Sequence, residues 1–200
     1  MPAKNTDLHG NVPDKCPVAL VLVDVINDLE FDGGDKLLQH ALPAARRIAA
    51  LKAKARQRGI PVIYANDNFG RWRSDFRQVV EHCLNDGVRG QPLAQLLKPD
   101  EEDYFVVKPK HSAFYSTTMD LLLQYLSAKR VVLTGFTGDM CVLFTAADAY
   151  LRDLKISVPA DCTASQSPLE NRKALQYITR VFKADRRPST KFDLAKLRRG

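Results

Sequence analysis

The chain has 200 residues, 45% of them hydrophobic, which is enough for one sizeable buried core and fits one domain more readily than two. Its formal net charge of +7 comes from scattered basic residues, with local clusters at Arg46 and Arg47, Lys52 to Arg58 and Arg186 to Arg199. No continuous basic face follows from that pattern, so no nucleic-acid partner is expected.

Four widely spaced cysteines, Cys16, Cys83, Cys141 and Cys162, form no CxxC pair and accompany no signal peptide. That argues against a disulfide framework or a zinc site and for a reducing cytoplasm. No apolar run approaches the roughly 20 residues a membrane helix requires, so no membrane partner is expected.

Residues 1–16 lack hydrophobic periodicity and carry Pro2, Gly10, Pro13 and Asp14, the marks of an N-terminal arm. The fold is expected to begin at "PVALVLVDV". Its β-branched run over 18–25 suits a strand buried on both faces, as a parallel sheet covered by helices requires.

From Lys36 to Arg58, Leu37, Leu38, Ala41, Ala45, Ile48, Ala49 and Leu51 recur at helical spacing, and Gly59 and Pro61 mark the stop. "IPVIYAND" reads as the second strand. Residues 68–100 are irregular, with a helix expected over 74–84, a turn at Asp86-Gly87 and a short helix after Pro92.

"DYFVVK" gives a third strand and "STTMDLLLQYLSA" a helix, with Ser116 or Thr117 as caps. "RVVLTGF" supplies the fourth strand. A helix from about Asp139 to Asp153 leads to strand "KISVPAD". In "SPLENRKALQYITRVF", Ser167 caps a helix, Pro168 takes its first position and Glu170 completes a capping box. Strands alternating with helices predict a parallel α/β sheet in one domain over 17–185, followed by a frayed basic tail, 186–200.

In such a sheet ligands bind at the carboxyl ends of the strands, where Asp24, Asp67, Lys108 and Cys141 follow the apolar runs. Cys141 is expected at a helix N-terminus, where backbone amides and the helix dipole favour a thiolate and could hold an oxyanion. The local alternative is a buried cysteine acting as a small hydrophobe. Asp24 follows a wholly apolar strand, so it should pair with a cation or serve as an acid/base group, with burial raising its pKa; a turn or cap role is the alternative. Lys108 could pair with Asp24 and bias the thiol, or snorkel to solvent. Local context leaves each pair of readings open.

The segments "ALVLVDVIND", "VVKPKHSAFYST" and "LTGFTGDMCVLFTAADAYLRD", followed by "VPADCTAS", resemble in order and spacing the motifs of the isochorismatase-like cysteine hydrolases, over about residues 17–183. The resemblance implies a three-layer α/β/α fold around a central, mostly parallel six-stranded sheet. It also implies a catalytic triad of Asp24, Lys108 and Cys141. Lys108, four positions before Ser112, matches the pattern and Lys110 does not.

Further implications are a cis peptide at Phe136-Thr137 and an oxyanion hole from the Thr137 and Cys141 amides. In the implied mechanism Asp24 takes the thiol proton, Lys108 stabilises the charge and Cys141 attacks an amide carbonyl to form an acyl-enzyme. Asp24 then protonates the departing amine and later activates water.

Departures from the family shape the rest. Nicotinamidase relatives carry metal ligands after the second strand, whereas "NDNFGRW" keeps Asp67 and then offers Asn68, Phe69 and Gly70, with His82 the next histidine. No metal and no cofactor are therefore expected. A Gln often stands two residues after the aspartate; here it is Ile26.

His111, weighed as a general base, is given a rim role because its spacing puts it beside the triad. Asn66, Asp67, Trp72 and Phe114 are the expected substrate-pocket residues. The expected reaction is hydrolysis of a C–N bond in a small amide or carbamoyl compound. Isochorismate-type vinyl-ether hydrolysis, which in this family needs the aspartate and no cysteine nucleophile, and a non-catalytic binding module are the rivals. A homo-oligomer, dimer or tetramer, is expected, joined through the helical face after Cys141 and the segment around Trp72.

Overall fold

The computed structural model describes residues 15–68 and 75–198. Its centre is β1 (Val18–Val23), buried at every position. The strand lies between two parallel partners, β2 (Val62–Asp67) and β4 (Arg130–Phe136). β3 (Tyr104–Lys108) pairs with β2, while β5 (Lys155–Ser157) flanks the start of β4 and β6 (Thr163–Ala164) its end. The result is a parallel six-stranded sheet of order β3-β2-β1-β4-β5, with β6 also on β4.

Strand alternation divides the side chains between two apolar clusters. Leu20, Leu22, Tyr64 and Phe136 cluster with residues of α1 (Gly34–Arg56), α2 (Phe76–Asn85) and α3 (Gln91–Leu96). Val21, Val23, Ala65 and Leu133 cluster with α4 (Met119–Tyr125), α5 (Leu143–Tyr150) and α6 (Pro168–Phe182). Burying both faces explains the unbroken apolar run of β1, each Val or Leu contributing about 1.5–3 kcal/mol.

Several local details differ from the sequence reading. The helix expected over 74–84 runs over Phe76–Asn85 and is capped by Asp75, whose carboxylate accepts from Gln78 N at 2.8 Å. Thr118 occupies the N-cap of α4 without a side-chain bond, and Thr117 Oγ1 instead accepts from Met119 N at 3.1 Å. Half the expected capping box forms: Ser167 Oγ accepts from Glu170 N at 3.4 Å, while the Glu170 carboxylate pairs with Lys173 at 2.8 Å.

Described residues near both ends are more tightly held than expected. Cys16, assigned to the arm, is 1% exposed, and its amide donates to Leu126 O at 2.8 Å. The described part of the basic C-terminal segment is docked rather than frayed. Ser189 donates from N and Oγ to the Asp161 carboxylate at 2.6 and 2.8 Å. Phe192, Leu194 and Leu197 then pack on the α1-side cluster, the last two from a short helix, α7 (Leu194–Arg198). Apolar residues spaced among the basic ones dock this segment. Among the described residues no helix is long and apolar enough to cross a membrane.

Candidate active site

β1, β2 and β3 deliver the ionisable groups at the carboxyl edge of the sheet. Asp24 follows β1 with φ 50°, a left-handed conformation that a short polar side chain tolerates better than most. Its Oδ1 accepts from Asp67 N at 2.7 Å, and its Oδ2 meets Lys108 Nζ at 2.8 Å. Asp67 and Lys108 stand opposite each other in the β2–β3 register. The Lys108 side chain is fully buried; its ammonium also donates to Lys110 O at 3.1 Å and lies 3.6 Å from Asp67 Oδ2 and 3.7 Å from Cys141 Sγ.

Cys141 comes from the far side of the cleft. β4 ends in a cis Phe136-Thr137 peptide, where the resemblance placed it, and the chain then winds through a π-helical turn, Gly138–Val142, before α5. Thr137 O accepts from Val142 N at 3.0 Å and Met140 N at 3.3 Å. Cys141 is therefore inside a wide turn rather than at the first residue of an α-helix. Such π turns recur at functional sites.

Burial pushes the Cys141 thiol well above its ordinary range, and Asp24 adds to the effect against the opposing pull of Lys108. The helix-start argument for a thiolate is therefore opposed here by burial and by the neighbouring Asp24 carboxylate. Burial likewise raises Asp24, outweighing Lys108. Burial opposes the Lys108 charge, yet Asp24, Cys141 and Asp67 together hold its pKa above the ordinary value. The other three cysteines are buried, whereas Cys141 is partly exposed.

The turn is held from behind by residues that the sequence reading left without a role. Ser165 Oγ accepts from Asp139 N at 3.2 Å and donates to Asn171 Oδ1 at 3.2 Å. Asn171 Nδ2 donates to Thr163 Oγ1 at 3.4 Å. A Cβ on Gly138 would lie 2.0 Å from Asn171 Oδ1, and one on Gly135 (φ 112°) 2.0 Å from Val23 O, so both glycines permit close approach. The available signal was Ser165 itself, a polar residue just past a strand end. From the other side, Thr145 Oγ1 donates to Cys141 O at 2.7 Å and accepts from Ala113 N at 3.1 Å, tying the Cys141 turn to the loop after Lys108.

The expected pocket residues divide. Asp67 is at the site, its side chain 33% exposed. Asn66 is not: alternation puts it on the opposite face of β2, with Tyr64, where it is 1% exposed and donates from Nδ2 to Ile26 O. It braces the loop after Asp24. Phe114 is 5% exposed in the α4/α5 cluster, with the Arg152 guanidinium 4.6 Å from its ring centroid, so it forms core rather than pocket wall. Trp72 lies outside the described residues. His111, given only a rim role, places Nδ1 3.8 Å from Cys141 Sγ. Among the described residues no group of three or more His, Cys, Asp or Glu side chains is arranged to hold a metal ion.

A parallel α/β sheet with Asp, Lys and Cys gathered at its carboxyl edge defines a hydrolase-type site. The chain belongs to the isochorismatase family: the isochorismatase domain model matches residues 18–184. It is 41% identical over 171 residues to the uncharacterised isochorismatase family protein YaaI of Bacillus subtilis (strain 168), covering 86% of this chain and 93% of that one.

Among solved structures it is similar to N-carbamoylsarcosine amidase from Thermoplasma acidophilum, at a TM-score of 0.68 and 29% identity over 88% of this chain and 98% of that one. It is also similar to the pyrazinamidase/nicotinamidase of Streptococcus mutans UA159, at a TM-score of 0.66 and 28% identity over 84% and 98% of the two chains. With such relatives the protein is a hydrolase.

Proposed function

We propose that this hydrolase cleaves the C–N bond of a small amide or carbamoyl compound through a covalent acyl-enzyme on Cys141. The observation that carries the reading is the Lys108 ammonium, fully buried 2.8 Å from Asp24 and 3.7 Å from the sulfur. Similarity to amidases supports the reaction class.

In this reading the proton moves as the sulfur attacks; burial raises both Asp24 and Cys141. A carboxylate with a raised pKa is the better base for that transfer. Sulfur bonds to the carbonyl carbon, the thiol proton passes to Asp24, and Lys108 balances the charge. The amides of Thr137 and Cys141 are assigned to the developing oxyanion, whose stabilisation in such sites is commonly worth about 3–4 kcal/mol per donor. Collapse breaks the C–N bond, and Asp24 hands its proton to the departing amine, leaving a thioester.

The test is a panel of small amides and carbamoyl compounds, nicotinamide included, assayed for ammonia or amine release with wild type and Cys141→Ala. Release from at least one compound that disappears in the variant is expected. Turnover surviving the substitution would sink the mechanism, and undiminished pyruvate release from isochorismate in Cys141→Ala would install vinyl-ether hydrolysis in its place.

The assembly proposed is a homo-oligomer joined through α5 and its neighbours. Val142 is fully buried and contributes nothing to such a face, but Phe144 is 48%, Tyr150 46% and Leu151 75% exposed, and Leu121 of α4 is 67% exposed. Light scattering should give a multiple of the 22.4 kDa chain mass; a mass near 22.4 kDa removes the proposal.

A further inference from the structure

Two acid/base groups bracket the Cys141 sulfur, and only one of them belongs to the triad. On the buried side stands Asp24, 7% exposed and held by Lys108 and the Asp67 amide. On the solvent side stands His111, an exposed residue whose Nδ1 lies 3.8 Å from Sγ.

The placement is built by its surroundings. The residue before it is fixed by the Lys108 Nζ to Lys110 O bond at 3.1 Å. The residues after it are fixed by the Phe114 N to Ser112 Oγ and Ala113 N to Thr145 Oγ1 bonds, each 3.1 Å. Its ring rests against Phe144, centroids 5.7 Å apart. A side chain anchored on both flanks and carried over the nucleophile is positioned for chemistry at that sulfur.

We propose that His111 is the base of the second half-reaction, a role that rests on the acyl-enzyme reading above and replaces Asp24 in the activation of water. Once Asp24 has given its proton to the departing amine, the thioester carbon lies one bond from Sγ, alongside the imidazole. Of the two groups, His111 is the one exposed to solvent, while Asp24 is buried.

With the proton on Nε2, Nδ1 accepts a proton from the water as its oxygen bonds to the carbonyl carbon. The tetrahedral adduct then expels sulfur: the C–S bond breaks, its electron pair stays on sulfur, and the imidazolium returns its proton to the thiolate across the Nδ1–Sγ contact. Thioester and water become carboxylic acid and thiol, and the imidazole is regenerated. The proximity to sulfur that looks incidental in the resting enzyme is what closes this proton circuit.

The experiment uses p-nitrophenyl acetate, an acyl donor that does not depend on knowing the natural substrate. Nitrophenolate release is followed in stopped flow, with intact-mass and peptide analysis of quenched samples, for wild type, His111→Ala, His111→Gln and Cys141→Ala. Because His111 is exposed, these variants at that position should fold as wild type does.

The expected result is a stoichiometric burst of unchanged rate in both His111 variants, followed by a steady-state rate roughly 100-fold or more below wild type. An acetyl group should accumulate on Cys141 meanwhile. Deacylation at the wild-type rate, or a burst slowed as much as the steady state, overturns the role given to His111 and leaves the nucleophile intact. A burst that persists in Cys141→Ala, or an acetyl group never found on Cys141, overturns the acyl-enzyme reading itself and this inference with it.

Discussion

Replacing Lys108 by Met removes the site's central cation while keeping the length and apolar bulk of its stem. In the wild type that ammonium is fully buried and 2.8 Å from a carboxylate that is itself 9% exposed. Deleting one member of a buried ion pair strands the other, at a typical cost of about 3–5 kcal/mol. Burial already raises Asp24, and Lys108 is the largest influence opposing it. Without the lysine the carboxyl is pushed further up and becomes a poorer partner for the Cys141 proton.

Two outcomes follow in Lys108→Met. Turnover falls by at least about 100-fold, the contribution of a working general base. Stability falls by an amount that urea unfolding reads as a midpoint lowered by more than about 1 M, for a slope of about 1–3 kcal/mol per M. The double variant Lys108→Met with Asp24→Asn removes the stranded charge and should recover a large part of the lost midpoint while remaining inactive. A midpoint for Lys108→Met within about 0.3 M of wild type, or no relief in the double variant, would refute the argument that this pair is buried and coupled.

Ser165→Ala leaves the Asp139 amide without its acceptor and the Gly138–Val142 turn without its brace; a lost buried acceptor costs about 1–3 kcal/mol. The expected signature is a lower kcat at an unchanged KM, with Ser165→Thr closer to wild type; a change confined to KM would contradict it. Tyr64 is pushed up to about 12 by burial against an ordinary 10.0, so its folded form keeps a proton that the unfolded chain releases first. Its contribution is therefore complete below pH 10 and lost as pH rises towards 12. Tyr64→Phe should flatten the alkaline fall in Tm, and an identical fall in both proteins would disprove the assignment.

The residues that carry the sheet were readable because a strand buried on both faces admits little but apolar side chains, as in Val18–Val23, and polar residues at its end then stand out. That logic found Asp24, Lys108 and Cys141, and family resemblance joined them. It failed where orientation depends on turns: Asn66 and Asp67 are neighbours in sequence but sit on opposite faces of β2, and Phe114 is drawn inward under Arg152.

The balance of influences on the thiol was also hidden. Proximity to a helix start favours a thiolate, whereas burial and the Asp24 carboxylate push the other way. His111 was given only a rim role because its approach to the sulfur depends on Lys108 folding back onto Lys110 O, a contact between near neighbours that no periodicity reveals. The C-terminal segment was read by its charge, while Leu194 and Leu197 decide where it goes.

The most direct test of the account is to find the acyl group itself. Once the amide panel yields a substrate, the wild-type protein is mixed with it, quenched in acid within the first turnover and mapped by peptide mass spectrometry. The account predicts the acyl fragment on the peptide carrying Cys141, present while substrate lasts, gone after exhaustion and never formed in Cys141→Ala. Rapid turnover with Cys16, Cys83, Cys141 and Cys162 all unmodified at every time sampled would contradict it.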